Sequence, residues 1–199
     1  MTETGRKYTS INVWVAIVIF VLRCCIGWCE VKAAVDGNEI AKCAYILFGY
    51  VGEAIGIAAI FMFCLNKWWW KYKPFAWLHH VPILAKEYNG RIRFKNIEGH
   101  EEECDTTIYI DQTFLNVTVK LGTCESKSNS IMATITTIND SQMLIYTYQN
   151  IPNAELQDRS AIHYGTAMLY LDDPKHITGN YFTTRKSRGS MDLKAVDKQ

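Results

Sequence analysis

The stretch SNSIMATITTINDSQMLIYTYQNIP, residues 128–152, decides the fold. On both sides of Asn139-Asp140, apolar and β-branched side chains alternate with polar ones, the period of two that belongs to strands with one buried face. Asn and Asp tolerate the left-handed backbone of a tight turn, so the two runs are antiparallel neighbours in a hairpin. Working outward from it, the same pattern recurs along the rest of the chain after Pro82. Strands are expected over 89–97, 103–110, 113–121, 128–138, 141–150, 161–171, 176–185 and 189–196, with Asp111-Gln112 as a second short connection. No stretch in this half carries a helical period. An open sheet would leave edges and apolar surface in water, whereas closure removes the edges, so an all-β domain closed as an eight-stranded antiparallel up-and-down β-barrel, lipocalin-like in shape, is predicted.

The first part of the chain has a different character. Residues 11–29, INVWVAIVIFVLRCCIGWC, are apolar apart from Asn12 and Arg23; residues 43–65, CAYILFGYVGEAIGIAAIFMFCL, carry Glu53 as their single charge. Each run is close to the roughly 20 residues a bilayer core demands. Asp36-Gly37-Asn38 between them is a turn signal, which predicts a membrane α-helical hairpin of two transmembrane helices. Arg23 and Glu30 stand where a cleavage site would lie, so the first span is retained. Arg6 and Lys7 before the spans and Lys67, Lys71 and Lys73 after them orient both termini, and hence the barrel, toward the cytoplasm. In KWWWKYKPFAW, residues 67–77, Trp68, Trp69, Trp70, Tyr72, Phe75 and Trp77 interleave with lysine as a membrane-surface collar does. The expected organisation is a hairpin over 1–66, an interfacial linker over 67–82, the barrel over 83–196 and a tail over 197–199.

A charge inside hydrocarbon costs at least about 2.5–3.5 kcal/mol on insertion scales. Arg23 and Glu53 lie equally far from Asn38, so a symmetric hairpin brings them to one depth. They are expected to form an intramembrane pair that fixes helix register or exchanges between subunits; the other reading is that Arg23 snorkels outward. Tyr45, Gly49, Gly52, Gly56 and Ala59 recur at helical spacing as a small-residue face, suited to sealing the hairpin or to building an oligomer.

Composition excludes several functions. The chain has 199 residues with a net charge of +1, but the basic excess sits in the membrane part and the remainder is slightly acidic. That half is no coat for a DNA or RNA polymer, which needs many Lys and Arg contacts to phosphate. Of seven cysteines, Cys104 and Cys124 alone fall in the soluble half, which is no disulfide framework. His79-His80, His100, His163 and His176 show no metal-ligand spacing, so neither a metal nor a cofactor is expected. There is no nucleophile elbow or activated nucleophile, and the protein is expected not to be an enzyme.

The barrel lining carries the remaining signal. Leu144, Tyr146, Tyr148 and Asn150 share one strand face, as do Gly179, Tyr181, Thr183 and Arg185. Tyr rings stack on bases, guanidinium matches phosphate oxygens, and hydroxyl and amide groups read polar edges, so these faces suit a nucleotide. Periodicity leaves open which face points inward. The same holds for 89–94, where either Ile92 and Phe94 are buried and Arg91 and Arg93 exposed, or the arginines line a strongly cationic pocket.

Three strings in these strands, Tyr146-x-Tyr148-x-Asn150-x-Pro152, His163-x-Gly165-x-Ala167-x-Leu169 and Gly179-x-Tyr181-x-Thr183-x-Arg185 followed by Gly189, come after two spans and an aromatic-basic collar. In this order of parts the chain resembles the bacterial CBASS antiviral effectors with two N-terminal transmembrane helices and a β-strand-rich sensor, encoded beside cGAS/DncV-like cyclic-nucleotide synthases. The resemblance implies a bacterial inner-membrane protein whose barrel binds a cyclic dinucleotide made by the partner synthase during phage infection. Self-association would follow, then disruption of the lipid bilayer and abortive infection. At the positions of these strings, side-chain chemistry assigns the expected roles: Arg185 on phosphate, Tyr146, Tyr148 and Tyr181 on bases or ribose, Thr183 and Asn150 on base edges. The competing expectation is a membrane-tethered lipocalin-like carrier of a lipid or other small apolar ligand.

Overall fold

The computed structural model describes residues 3–76, 81–95, 100–158 and 160–196. They fall into two compact units, Met1–His79 and His80–Gln199.

The second unit is a closed barrel of eight strands: β1 (Glu87–Lys95), β2 (Glu101–Gln112), β3 (Val117–Gly122), β4 (Ser126–Ile138), β5 (Ser141–Pro152), β6 (His163–Tyr170), β7 (His176–Thr183) and β8 (Arg188–Ala195). Each pairs antiparallel with the next, and β1 pairs with β8 to close the ring. The hairpin turn is the expected one: Asn139 at φ 48° and Asp140 at φ 65° join Ile138 to its partner Ser141.

Asp111-Gln112 is not a turn. Both residues belong to β2, facing Thr118 and Val117, and the chain reverses over 113–116. The reason is the Gln112 amide, which is buried and needs two partners: its Nε2 donates to the Pro82 carbonyl at 2.9 Å and its Oε1 accepts from Leu84 N–H at 3.0 Å. Thr113 then closes the turn, its N–H donating to the Asn116 carbonyl at 2.8 Å. The expectation for 96–97 lies outside the described residues, as does that for 197–199.

Burial settles the orientation of β1. Ile92 is buried, while Arg91 and Arg93 point outward and pair with Glu103 at 3.2 and 2.7 Å, so they do not line a cationic pocket. Exposed pairs of this kind contribute little to stability. The interior at the end where β1 begins is packed solid by Ile108, Val119, Leu144, Leu169, Ile177 and Leu193. Tyr88, fully buried there, donates its hydroxyl to the Pro174 carbonyl at 2.6 Å and closes that end.

The first unit holds α1 (Glu3–Ile26), α2 (Trp28–Asp36) and α3 (Ile40–Lys67), the turn before α3 carrying Asn38 at φ 56°. Two of the helices are long and apolar enough to cross a membrane. They run antiparallel: Tyr8 hydroxyl donates to the Met62 carbonyl at 3.1 Å, and Arg23 Nε reaches Glu53 Oε2 at 2.6 Å. Arg23 also lies 4.2 Å over the Tyr50 ring, whose hydroxyl donates to Glu30 Oε2 at 3.0 Å. Tyr50, Ala54, Ala58, Met62 and Leu65 form the buried stripe of α3, while Trp14, Leu22, Phe48 and Ile55 face outward. Gly49, Gly52 and Gly56 lie off that stripe, with nothing within 4 Å of the space a side chain would fill, so they do not seal the hairpin. After α3 come a 3-10 turn (Trp69–Lys71) and the short α4 (Lys73–Ala76), with Trp69 stacked on Phe75 at 6.0 Å and Lys71 5.4 Å from the Trp70 ring. Trp77 lies outside the described residues.

Candidate binding cavity

Because the aliphatic residues fill one end of the barrel, the other end is hollow. There the last residues of β1, β3, β5 and β7 and the first of β2, β4, β6 and β8 enclose a cavity of about 370 Å³. This lies in the range of small-ligand sites, roughly 300–1,000 Å³. Tyr146, Tyr148, Asn150, Tyr181, Thr183 and Arg185 all line it.

They are graded by depth. Tyr146 is wholly desolvated and forms the floor, its hydroxyl 3.9 Å from Met191 Sδ. Tyr148, its ring 5.7 Å from that of Tyr146 and tilted by 45°, stands above it, followed by the buried Asn150. Tyr181 and Thr183 are half-buried on β7, and Arg185 is exposed at the mouth. Two glycines make this aromatic lining fit. Tyr148 faces Gly165 across the β5–β6 ladder and Tyr181 faces Gly189 across β7–β8. A methyl on Gly165 would fall 2.5 Å from Tyr148 Cζ, and one on Gly189 2.7 Å from Tyr181 Cε1, so each ring lies against bare backbone.

Burial holds all three phenols neutral: desolvation raises Tyr146 and Tyr148 far above the ordinary tyrosine range and pushes Tyr181 up to about 12. A neutral phenol keeps its O–H for donation to an anion. Thr183 and Ser187 hydroxyls share a 2.6 Å hydrogen bond that closes the β7–β8 turn, so Arg185 leaves the strand, in contrast to its expected place within β7, and still reaches the mouth. There Arg185 Nη1 donates to Ser160 Oγ. The mouth is electrically divided. Glu102 and Glu125 lie on the β2 to β4 side, whereas Arg185 and His163 lie across the opening at β6 and the β7–β8 turn. Burial, and secondarily the Arg185 charge, lower His163 below its ordinary value, against the opposing effect of its 3.0 Å hydrogen bond to the Ala161 carbonyl.

Ser128, Ser160, His163 and Ser187 are among the cavity residues that escaped the pattern. Ser128 Oγ donates to Asn150 Oδ1 at 2.7 Å and so orients the amide that faces the ligand space. Its inward position depends on a β-bulge between Ser130 and Met132, which reverses the side-chain parity of β4. Cys104 and Cys124 also meet on the cavity wall, where burial first, and the Cys124 thiol next, raise the Cys104 thiol.

Residues 79–195 match the family model described as Cap15, cyclic dinucleotide receptor domain. Over 203 aligned residues, covering 98% of this chain and all of the relative, the sequence is 26% identical to CD-NTase-associated protein 15 of Staphylococcus schleiferi.

Proposed function

Because the chain belongs to the Cap15 cyclic dinucleotide receptor family, we propose that the hollow end of the barrel is its receptor site and that the whole chain is a membrane-anchored effector of CBASS antiviral defence. One observation carries this reading: stacking rings, neutral hydroxyl donors, an oriented amide and a guanidinium converge on one cavity open at one end. In the proposed complex Tyr148 and Tyr181 stack on a base or contact ribose above the Tyr146 floor. Asn150, held by Ser128, and Thr183 read base edges. Arg185 takes a phosphate at the mouth. Glu102 and Glu125 opposite repel phosphate and accept from exocyclic amino groups, so the charge division orients the ligand.

A lipid carrier would need continuous aliphatic walls around its hollow, but here Ile92, Leu121 and Leu156 share the lining with three phenols, Asn150 and Arg185, and most aliphatic side chains fill the other end. The family is one of receptors, not of enzymes. The wider sequence of events in this proposal starts with a partner synthase that supplies the cyclic dinucleotide. Loaded barrels, on the cytoplasmic side of the inner membrane, then self-associate, and the gathered hairpins, with Arg23 and Glu53 paired within the bilayer, disrupt it. A ligand drives assembly only by binding the assembled state more tightly than the single chain.

The test is calorimetric titration of the full chain in detergent with cyclic di-AMP, cyclic di-GMP and cyclic GMP–AMP, beside measurement of membrane potential in cells that carry the chain with and without a cyclic-dinucleotide synthase. Saturable binding of a cyclic dinucleotide, and depolarisation that needs both proteins, are expected. Depolarisation by the chain alone at equal expression, or failure to bind any of them, refutes the reading.

A further inference from the structure

Charge is unevenly distributed around the barrel. The strands β5, β6 and β7 contain no Lys, Arg, Asp or Glu, and β4 has only Lys127 at its start. By contrast β1, β2 and β8 are dense with outward charges, among them Arg91 and Arg93 paired with Glu103, and Asp192 and Lys194 on β8. The uncharged wall is also the apolar one. Ile131 and Met132 project together from the β4 bulge at 65% and 69% exposure, and Phe182, Tyr164 and Tyr170 stand out on β7 and β6. Met132, Thr147, Thr166 and Phe182 form one continuous row across the four strands. Polar groups on this wall lean on each other: Thr147 and Thr166 hydroxyls are 3.4 Å apart, and Gln149 Nε2 donates to Tyr164 hydroxyl at 3.4 Å.

We propose that the outer face of β4–β7 is a self-complementary docking surface whose occupant is the same face of a second copy of this chain. Charge selects this occupant. Where like faces meet about a two-fold axis, every charge near the axis meets its twin, so a wall without charges is what such a contact permits. Anionic headgroups would call for Lys and Arg around the apolar residues, and this wall has none on β5 to β7. Exposed Phe, Tyr and Met with charge excluded to the margins, at Lys127 and Arg188, is the make-up of an interface core with its rim. The wall is one strand thick: Tyr148 and Tyr181 line the cavity from inside, while Thr147 and Phe182 form the face outside. A ligand seated on those rings therefore bears on the docking wall directly. The inference rests on the proposed self-association and assigns it a surface.

The experiment uses the full chain in detergent with cyclic di-AMP, cyclic di-GMP and cyclic GMP–AMP, following nucleotide affinity by calorimetry and particle mass by light scattering. Phe182→Lys and Phe182→Glu chains are each expected to bind nucleotide within about twofold of wild type at protein concentrations where wild type too stays single, yet to need roughly tenfold more protein to assemble. When mixed, the two variants are expected to assemble again, which a misfolded variant would not do. Unchanged assembly of both variants overturns the proposal, as does loss of assembly that mixing leaves unrestored. If the wild type binds none of the three nucleotides, the receptor reading is what fails. The face is then judged by concentration-driven association of wild type against Phe182→Lys, equal association counting against it.

Discussion

Arg185→Ala is the sharpest test of the cavity, because its effect on binding and its effect on stability differ in size. The guanidinium is exposed in the free barrel, and its recorded partner is Ser160 Oγ. Truncation strands no buried charge, so folding stability is expected to move by no more than about 0.5 kcal/mol. In the proposed complex the same group would make a charge-assisted hydrogen bond to phosphate, worth about 1.5–3 kcal/mol. At about 1.4 kcal/mol for each factor of ten, Kd rises roughly 10- to 150-fold. Arg185→Lys keeps the charge but loses the planar fork and falls between. Calorimetry on the full chain gives the affinities, and a thermal melt of the same samples checks the fold. Added salt is expected to weaken wild-type binding more than binding by Arg185→Ala. An alanine variant that binds within about twofold of wild type, with the same salt response, would show that no phosphate is met at this position.

His163 sets a pH dependence of two opposite signs. Its folded pKa is depressed below the ordinary value near 6.5, so the stability it contributes is complete above about pH 6.5 and is lost as pH falls toward the folded value. Protonation in that same window adds a cation beside Arg185, so affinity for a dinucleotide is expected to rise while the melting temperature of the free protein falls. His163→Gln removes both trends, and a variant with the wild-type pH profile would exclude the residue as their source. Gly165→Ala sets a methyl 2.5 Å from Tyr148 Cζ and 2.8 Å from the Phe182 carbonyl oxygen, an overpacking cost of about 1–3 kcal/mol, whereas Gly122→Ala meets nothing within 4 Å. Thermal melts are expected to drop by several degrees for Gly165→Ala alone; equal melts would mean that the ring does not rely on the glycine. In the hairpin, Arg23→Glu or Glu53→Arg leaves like charges where the pair stood 2.6 Å apart, and the double reversal restores it. The amount of each variant retained in membranes checks this, and a double variant no better retained than the singles rejects the pairing.

Much of this architecture was legible because it is local. Asn139-Asp140 between two alternating runs defines a hairpin before any tertiary contact is considered, and the equal distance of Arg23 and Glu53 from Asn38 anticipates their meeting. The inward face was not legible, since alternation is symmetric between two faces and only closure of the ring selects one. Ser128 was missed for a sharper reason. Counting back from the turn by twos places it on the outer face with Thr136, Thr134 and Met132, and the one extra residue at Ile131 turns it inward onto Asn150. Arg185 was read as part of a strand because it continues the alternation of Tyr181 and Thr183, yet the Thr183–Ser187 hydrogen bonds end the ladder first. A bulge and a turn are decided by hydrogen bonds that no spacing rule counts.

Among the described residues, the Tyr88 seal leaves the barrel one door. A molecule that has settled on the floor can leave only by retracing its entry past Arg185 and the glutamates opposite, and nothing can push it out from behind. Arrival and escape therefore share one checkpoint, while in the proposed complex the deep tyrosines would lengthen the stay without slowing admission. In the proposed receptor, occupancy would therefore outlast a fall in the surrounding concentration of the messenger.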